Sequence, residues 1–168
     1  MPSFRFEATD VSPARARLAD LIARPASHDG RGLTYAHCAF AGRSDDDGAP
    51  TFMSGVPDVV AAVRREHAWL SGHVREAGAP IDCHFAVEDD AIEFGLNVEG
   101  LSALGRTPFA YKTDVLDRLV LPCLAPLTGP VRVTAIAWDD HEWLVADAIA
   151  PADLPALVHA LEWLAIER

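Results

Sequence analysis

Polar and apolar residues alternate most regularly over Ile81 to Gly100, where the chain reads IDCHFAVEDDAIEFGLNVEG. A period of two is typical of a β-strand, and the pair Asp89-Asp90 in the middle is suited to a tight turn. The pattern therefore predicts a β-hairpin with one apolar face. The expected cross-strand pairs are Val87 with Ile92, Phe85 with Phe94, Cys83 with Leu96, and Ile81 with Val98.

The opposite face of this predicted hairpin is polar, and it supplies the candidate ligand-binding residues. Asp82, His84 and Asn97 lie on it, and Gly95 lies opposite His84, where it leaves room beside the imidazole. We add His73, which precedes the hairpin, to the candidate set. A cation or another ligand could bind there. A solvated sheet face explains the same pattern and is the simpler interpretation.

Apolar residues spaced by three and four predict helices on both sides of this hairpin. The first begins at Ser12-Pro13, and its arginines, Arg15 among them, are expected to face away from the apolar stripe. A long helix is predicted over Pro57 to Ala77. A shorter helix is capped by Asp114, and a terminal helix spans Pro151 to Arg168.

A second hairpin is predicted over Val131 to Ala150, again with an Asp-Asp turn, at Asp139-Asp140. This register places Arg132 opposite Asp147 as an ion pair. Both faces of the hairpin are largely apolar. We therefore expect it near the sheet centre or covered on both sides.

The order of these elements predicts an α+β fold in a single domain, residues 1–168. Strands predicted over Leu33 to Phe40 and Thr51 to Ser54 complete the pattern α-ββα-ββα-ββα. Phe4 to Glu7 is expected to be a short edge strand or a ragged end. The resulting architecture is an antiparallel sheet built from successive β-hairpins, with helices packed mainly on one face.

Two aromatic surfaces remain outside the predicted core stripes. Trp69 lies on the polar side of the long predicted helix. His159, Trp163 and Ile166 form a second apolar stripe on the terminal helix, opposite its core stripe. A helix that is apolar on two sides is either enclosed or shared with another chain, so we expect this stripe to be a homodimer contact.

Charge narrows the possible partners. The chain has a formal net charge of −11 over 168 residues, and half of its residues are hydrophobic, which is typical of a globular protein. Nucleic acid and anionic membranes are bound mainly through Lys and Arg, so both are disfavoured. An acidic surface instead favours a basic protein partner.

Cysteine usage and the absence of targeting signals favour a cytoplasmic protein. Cys38, Cys83 and Cys123 are odd in number and include no CxxC pair, so we expect reduced, mostly buried thiols. No signal peptide and no membrane-spanning stretch is evident. Three successive Asp residues in the loop 42–50 would suit calcium, but the EF-hand spacing is missing. We therefore expect neither a metal site nor a cofactor.

The usual enzyme signatures, GxGxxG, the P-loop, HExxH and GxSxG, do not occur in the sequence. The leading hypothesis is a non-enzymatic, acidic, cytoplasmic protein-binding or adaptor protein. It would be chaperone-like or immunity-like, by an analogy of size, charge and architecture alone. The alternative is a small-molecule-binding domain or small enzyme, with a pocket between the polar face of the 81–99 hairpin and a flanking helix.

Overall fold

The computed structural model describes residues 2–23, 33–34, 56–64, 70–76, 81–98, 108–137, 139 and 141–163. The strands of this part of the chain are β1 (Ser3–Glu7), β2 (Leu33–Thr34), β3 (Leu70–Glu76), β4 (Ile81–Val87), β5 (Ala91–Val98), β6 (Val131–Ile136) and β7 (Glu142–Ile149). The helices are α1 (Ser12–Ala23), α2 (Val56–Arg64), α3 (Pro108–Val115), α4 (Leu121–Leu124) and α5 (Leu154–Ala160). A π-helical turn, Leu116–Val120, joins α3 to α4, and a 3-10 turn, Pro151–Asp153, precedes α5.

The strands form one sheet in the order β2-β3-β4-β5-β1-β6-β7, antiparallel at every pairing. The α+β class is thereby confirmed. The order of elements along the chain differs from the predicted helix-and-hairpin alternation. Strand β1 is also central rather than an edge strand, because it lies between β5 and β6 and joins the two halves of the sheet.

The central hairpin has the predicted register. Strands β4 and β5 pair Val87 with Ile92, Phe85 with Phe94, Cys83 with Leu96, and Ile81 with Val98. The backbone N–H of Glu88 donates to the carbonyl of Ala91 at 2.9 Å, which closes the two-residue turn at Asp89-Asp90. Strict alternation fixed this register, since a slip of one residue would move every apolar side chain to the other face.

The apolar face of the sheet and the described helices bury one continuous hydrophobic cluster. It includes Phe4 and Phe6 of β1, Leu18 of α1, Leu119 of the π-helical turn and Val158 of α5. We call this side of the sheet the core face. Cys83 and Cys123 are thiols buried in the same cluster, as predicted. Burial raises the pKa of the Cys123 thiol, which keeps it protonated.

The long helix predicted over Pro57 to Ala77 is wrong in its second half. Helix α2 ends at Arg64, and residues 70–76 form strand β3 beside β4. Leu70 and Val74 are four residues apart, a spacing that fits one face of a helix and equally one face of a strand. Gly72 lies between them and opposite Phe85, where a strand tolerates it because β3 gains the edge of β4 as its partner.

The second hairpin forms, but its turn is wider than the predicted pair Asp139-Asp140. The backbone N–H of Ala137 donates to the carbonyl of His141 at 2.9 Å, so the turn contains three residues. Next to the turn the pairing is shifted by one residue, and Trp143 faces Ala135. Two Asp residues in succession therefore did not specify the turn length here.

The predicted position of this hairpin in the sheet is also wrong, because β7 is the terminal strand among those that the structure describes. The register shifts twice along β6, on either side of Val133, and Ala148 of β7 has a positive φ of 55°. Such bulges bend a strand and increase its twist. They displace Arg132 from the position opposite Asp147, and the guanidinium of Arg132 instead lies 3.8 Å from the carboxylate of Glu7.

The terminal helix is shorter than predicted. Helix α5 ends at Ala160, and the backbone of Leu161 is extended, so the chain turns back toward the sheet. Trp163 lies in this turn rather than on the helix, and the helical spacing that relates it to His159 does not hold. Leu154 and Val158 are buried as the core stripe predicted.

Candidate functional site

The second side of the sheet, which we call the polar face, carries the charged and polar side chains of the strands. One row across it consists of His73 on β3, His84 on β4, Gly95 on β5 and Ser3 on β1. The next row toward the β4–β5 turn contains Ala86, Glu93, Arg5, Thr134 and Leu144. Alternation along each strand places these residues opposite the core face.

The sheet brings the four predicted ligand residues together on the polar face. His73 lies directly opposite His84, and Asp82 lies directly opposite Asn97 in the adjacent row. Sequence analysis placed His73 on a helix, so its pairing with His84 comes from the structure alone. Arg75 of β3 lies opposite Asp82 from the other side, which adds a cation to the same row.

Gly95 is required by a close approach between β5 and β1. A Cβ atom at this position would lie 3.2 Å from the Cβ of Ser3 and 3.9 Å from the Cβ of His84. The hydroxyl of Ser3 donates to the carboxylate of Glu93. The space predicted beside His84 is therefore bordered on its far side by Ser3.

Arg5, at the middle of the polar face, holds the largest ionic network that the described side chains form there. Its two terminal nitrogens donate to both carboxylate oxygens of Glu88, at 3.0 and 2.5 Å, and its Nε donates to Glu7 at 3.1 Å. Asp90 lies 3.8 Å away. Burial alone would lower the pKa of Arg5, but the neighbouring carboxylates, Glu88 foremost, raise it. Such a fork-to-fork pair fixes geometry as well as charge.

Glu93 also lies on this face, and its surroundings perturb its carboxyl. Burial raises its pKa, and the bond from Ser3 and the charge of Arg5 only partly oppose that effect. Glu93 lies one row from His84 and shares the face with it. Among the side chains that the structure describes, no group of three His, Cys, Asp or Glu residues is arranged to hold a metal ion.

Arg15 connects the helical layer to the hairpin turn, a role that sequence analysis missed. It is 5% exposed, rather than facing away from the core as predicted. Its Nε donates to the carbonyl of Val63 at 3.2 Å and its Nη1 to the carbonyl of Glu88 at 3.5 Å. A buried guanidinium must be hydrogen-bonded, and these carbonyls of α2 and of the turn provide part of what it needs.

A shallow cleft of about 220 Å³ lies where β1, β6 and β7 end near the β4–β5 turn. Its charged residues are Glu7, Asp90, Arg132 and Asp147. Pockets that enclose drug-sized molecules are usually about 300–1,000 Å³, so this cleft is small for such a ligand. The described helices bury apolar residues against the core face.

The terminal strand β7 exposes two large apolar side chains. Trp143 is 47% exposed and Leu144 is 51% exposed. Because they are neighbours on a strand, they lie on opposite faces: Trp143 pairs with Ala135 on the core face, and Leu144 pairs with Thr134 on the polar face. Sequence analysis missed this surface because it assumed that the second hairpin was covered.

Of the four predicted interface residues, Trp163 lies in the hydrophobic core. It is 0% exposed, its indole Nε1 donates to the carbonyl of Val158 at 2.7 Å, and its ring meets that of Phe4 edge-on at 4.6 Å. We therefore assign Trp163 to the core and not to a homodimer contact. His159 is exposed, with its Nε2 2.9 Å from the carboxylate of Asp117. Trp69 and Ile166 lie outside the described residues.

The comparisons with known proteins give no match. No protein-family model, no curated protein and no solved structure is significantly similar to this chain. Within the described segments, no helix combines the length and apolarity needed to cross a membrane. Function must therefore be argued from the residues themselves.

Proposed function

We propose that this protein works by binding another polypeptide, which adds as a strand to the outer edge of β7. The observation that carries the proposal is the exposure of Trp143 and Leu144 on the terminal strand of the sheet. An edge strand presents a row of backbone N–H and C=O groups that an extended peptide can pair with. Aromatic side chains are enriched at interfaces, so Trp143 is the natural anchor.

The edge of β7 lacks three of the features that usually prevent strand addition. Proteins protect an exposed edge with Lys, with Pro, or with a very short strand. Strand β7 runs eight residues, EWLVADAI, and contains neither Lys nor Pro. One bulge lies at Asp147 and Ala148 and a second lies at Val145, next to Leu144, so the regular part of β7 is its first three residues, Glu142 to Leu144. Pairing is therefore expected over the first half of the strand.

Charge identifies a basic segment as the preferred occupant. Glu142 and Asp147 flank the exposed pair, and Asp147 also lines the acidic cleft with Glu7 and Asp90. Two copies of this chain, each with a net charge of −11, would repel one another, whereas a basic polypeptide would be attracted. The partner is therefore an extended segment with an apolar centre and Lys or Arg at its ends. This agrees with the non-enzymatic, adaptor-like hypothesis from sequence.

The test is capture of partners from the native host, at moderate salt, with three forms of the tagged protein. Leu144→Lys removes one apolar anchor and adds a positive charge, and Ala156→Lys adds the same charge at an exposed position of α5. We expect the wild type and Ala156→Lys to retain a basic protein that high salt releases, and Leu144→Lys to lose it. Equal retention by all three forms would place the binding surface elsewhere.

The mass in solution distinguishes a second copy from a foreign partner. Light scattering behind gel filtration is expected to give one chain for the purified protein. A dimer that Leu144→Lys dissociates would replace the basic partner with a second copy as the occupant of β7. A dimer that persists in Leu144→Lys would indicate a homodimer formed through another surface.

A cytoplasmic location is part of the proposal. Cys83 and Cys123 are buried thiols, as is usual for proteins kept in a reducing compartment. The second candidate function, a small-ligand-binding domain, is favoured by one observation: His73, His84, Asp82 and Asn97 share two adjacent rows of the polar face. A bound small molecule would protect the protein against heat, and a thermal-shift screen detects that directly.

A further inference from the structure

The hydrogen bond that closes the β6–β7 turn determines which backbone groups of β7 face its outer edge. The N–H of Ala137 donates to the carbonyl of His141, so these two residues form a hydrogen-bonded pair. Hydrogen-bonded and non-hydrogen-bonded pairs alternate along an antiparallel ladder. The N–H and C=O of Trp143 therefore point toward β6, whereas those of Glu142 and Leu144 point toward the outer edge. Each of these two residues offers one donor and one acceptor to an added strand.

The side chains of the same three residues alternate between the two faces of the sheet. Glu142 and Leu144 lie on the polar face, and Trp143 lies on the core face. All three side chains are exposed. The bulge at Val145 ends this regular stretch, so an added strand pairs with these three residues before the register is lost.

From this arrangement we propose that the segment bound by β7 is antiparallel to it and presents, in the direction of its own chain, two successive apolar residues followed by Lys or Arg. The inference rests on the proposed strand addition and specifies the sequence that is recognised. An antiparallel segment places its first residue opposite Leu144, its second opposite Trp143 and its third opposite Glu142. The described pairings of the sheet are all antiparallel, and antiparallel pairing is slightly more stable per residue than parallel pairing.

The two apolar residues of the segment are matched by the side chains that they meet. The first meets Leu144 and the second meets Trp143, and apolar or aromatic side chains form favourable cross-strand pairs at such positions. The second residue forms a non-hydrogen-bonded pair with Trp143, in which the Cα atoms are only about 4.5 Å apart and the side chains are closest. An aromatic residue is therefore favoured at the second position.

Charge selects the third residue of the segment. It lies opposite Glu142, and opposite charges directly across two strands attract, whereas like charges destabilise the pairing. The carboxylate of Glu142 also acts on Glu93 of the same face, where its negative charge contributes to the raised pKa of that carboxyl. A Lys or Arg opposite Glu142 would offset this repulsion, and an acidic residue would add to it.

The experiment is fluorescence anisotropy of labelled peptides with the full-length protein at low salt. Two peptides share one composition, with Ser and Thr flanks, and their centres read Val-Tyr-Lys and Lys-Tyr-Val. A third peptide carries Glu in place of the Lys of the first. We expect the wild type to bind the Val-Tyr-Lys peptide about fivefold more tightly than either of the others.

A charge exchange tests the third position directly. Glu142→Lys should prefer the peptide with Glu to the peptide with Lys, because the attraction and the repulsion change places. Glu162→Lys is the matched control, because Glu162 is exposed after α5 and carries the same change of charge. This variant should keep the preference of the wild type. Circular dichroism verifies that both variants are folded.

Methylation of single peptide nitrogens tests the backbone pattern without altering the protein. In the Val-Tyr-Lys peptide, the N–H groups of Val and Lys donate to the carbonyls of Leu144 and Glu142, and the N–H of Tyr points away from β7. N-methylation at Val or at Lys should therefore abolish binding, and N-methylation at Tyr should leave it nearly unchanged. Equal loss of binding at all three nitrogens would overturn the assigned pattern.

The remaining outcomes separate this inference from the proposed function. Binding that Leu144→Lys abolishes, but that is equal for the three peptides, would overturn the recognised sequence and support strand addition at β7. Tighter binding of the Lys-Tyr-Val peptide would overturn the antiparallel direction. Equal binding by Leu144→Lys and the wild type, or no binding of any peptide by the folded wild type, would overturn both.

Discussion

Trp163 allows the sharpest quantitative test of the structure, because two tryptophans of the chain provide a matched pair. Trp163 is 0% exposed, whereas Trp143 is 47% exposed. The same substitution, Trp to Ala, is therefore expected to have very different effects at the two positions. The comparison separates a core position from a surface position without changing the chemistry of the mutation.

The expected loss of stability in Trp163→Ala follows from the contacts that the indole makes. Large-to-small changes at buried aromatic residues cost about 3–5 kcal/mol of the free energy of unfolding. The edge contact with Phe4 contributes about 0.5–1.5 kcal/mol of that loss. Removal of the indole N–H also leaves the carbonyl of Val158 without this donor inside the core. We therefore expect Trp163→Ala to cost about 4–5 kcal/mol, and Trp163→Phe, which keeps a ring against Phe4, about 1–3 kcal/mol.

The assay is urea unfolding followed by far-ultraviolet circular dichroism, because the signal does not depend on the tryptophans. Trp163→Ala should lower the urea midpoint with little change in slope. For a chain of 168 residues, the melting temperature should fall by about 8–20 °C. Trp143→Ala should change the free energy of unfolding by about 1 kcal/mol or less. Equal losses at the two positions would refute the placement of Trp163 in the core.

Three further predictions concern the polar face and the buried thiols. Gly95→Val should lower the free energy of unfolding by about 1–3 kcal/mol, because its Cβ would lie 3.2 Å from that of Ser3. Adding Ser3→Gly to this variant should recover part of the lost stability. If it recovers none, the loss has another cause. Burial raises the pKa of Glu93, so its ionisation costs stability. Glu93→Gln should therefore raise the urea midpoint at pH 7, and the gain should vanish as the pH falls below the ordinary value of 4.5; a gain that persists in acid would contradict this cause. Iodoacetamide should label Cys83 and Cys123 only in denaturant, as mass spectrometry of the digested protein would show; labelling in buffer would mean that these thiols are accessible.

The central hairpin was predictable because its local sequence features all favour the same structure. Its alternation, its two-residue turn and its aromatic pair Phe85 and Phe94 all require one register. Strand β3 was not predictable in the same way, since Leu70 and Val74 fit two periods equally well. The choice between them depends on the free edge of β4, which is a property of the fold and not of the local sequence.

The candidate site was predictable only in part, for the same physical reason. Asp82, His84 and Asn97 were assigned to one face because they belong to the hairpin whose register the sequence specifies. His73 joined them through the pairing of β3 with β4, which depends on β3 being a strand, and the local sequence does not decide that. The exposure of Trp143 and Leu144 was not predicted, because the two apolar faces of their hairpin were taken to mean that it is covered on both sides. An edge strand that binds a partner has the same pattern.

The position of β1 has a consequence for how the chain folds during its synthesis. Ser3–Glu7 is made before both of its partners, β5 and β6, which end at residues 98 and 136. At about 5–20 residues per second, β6 is complete roughly 6–26 s after β1. Phe4 and Phe6 therefore lack their β6 neighbours for that whole interval, although β5 is complete earlier, and the two halves of the sheet cannot be joined before it ends. Closure of the sheet is accordingly a late step of high contact order, and a chaperone that holds β1 would act at this point.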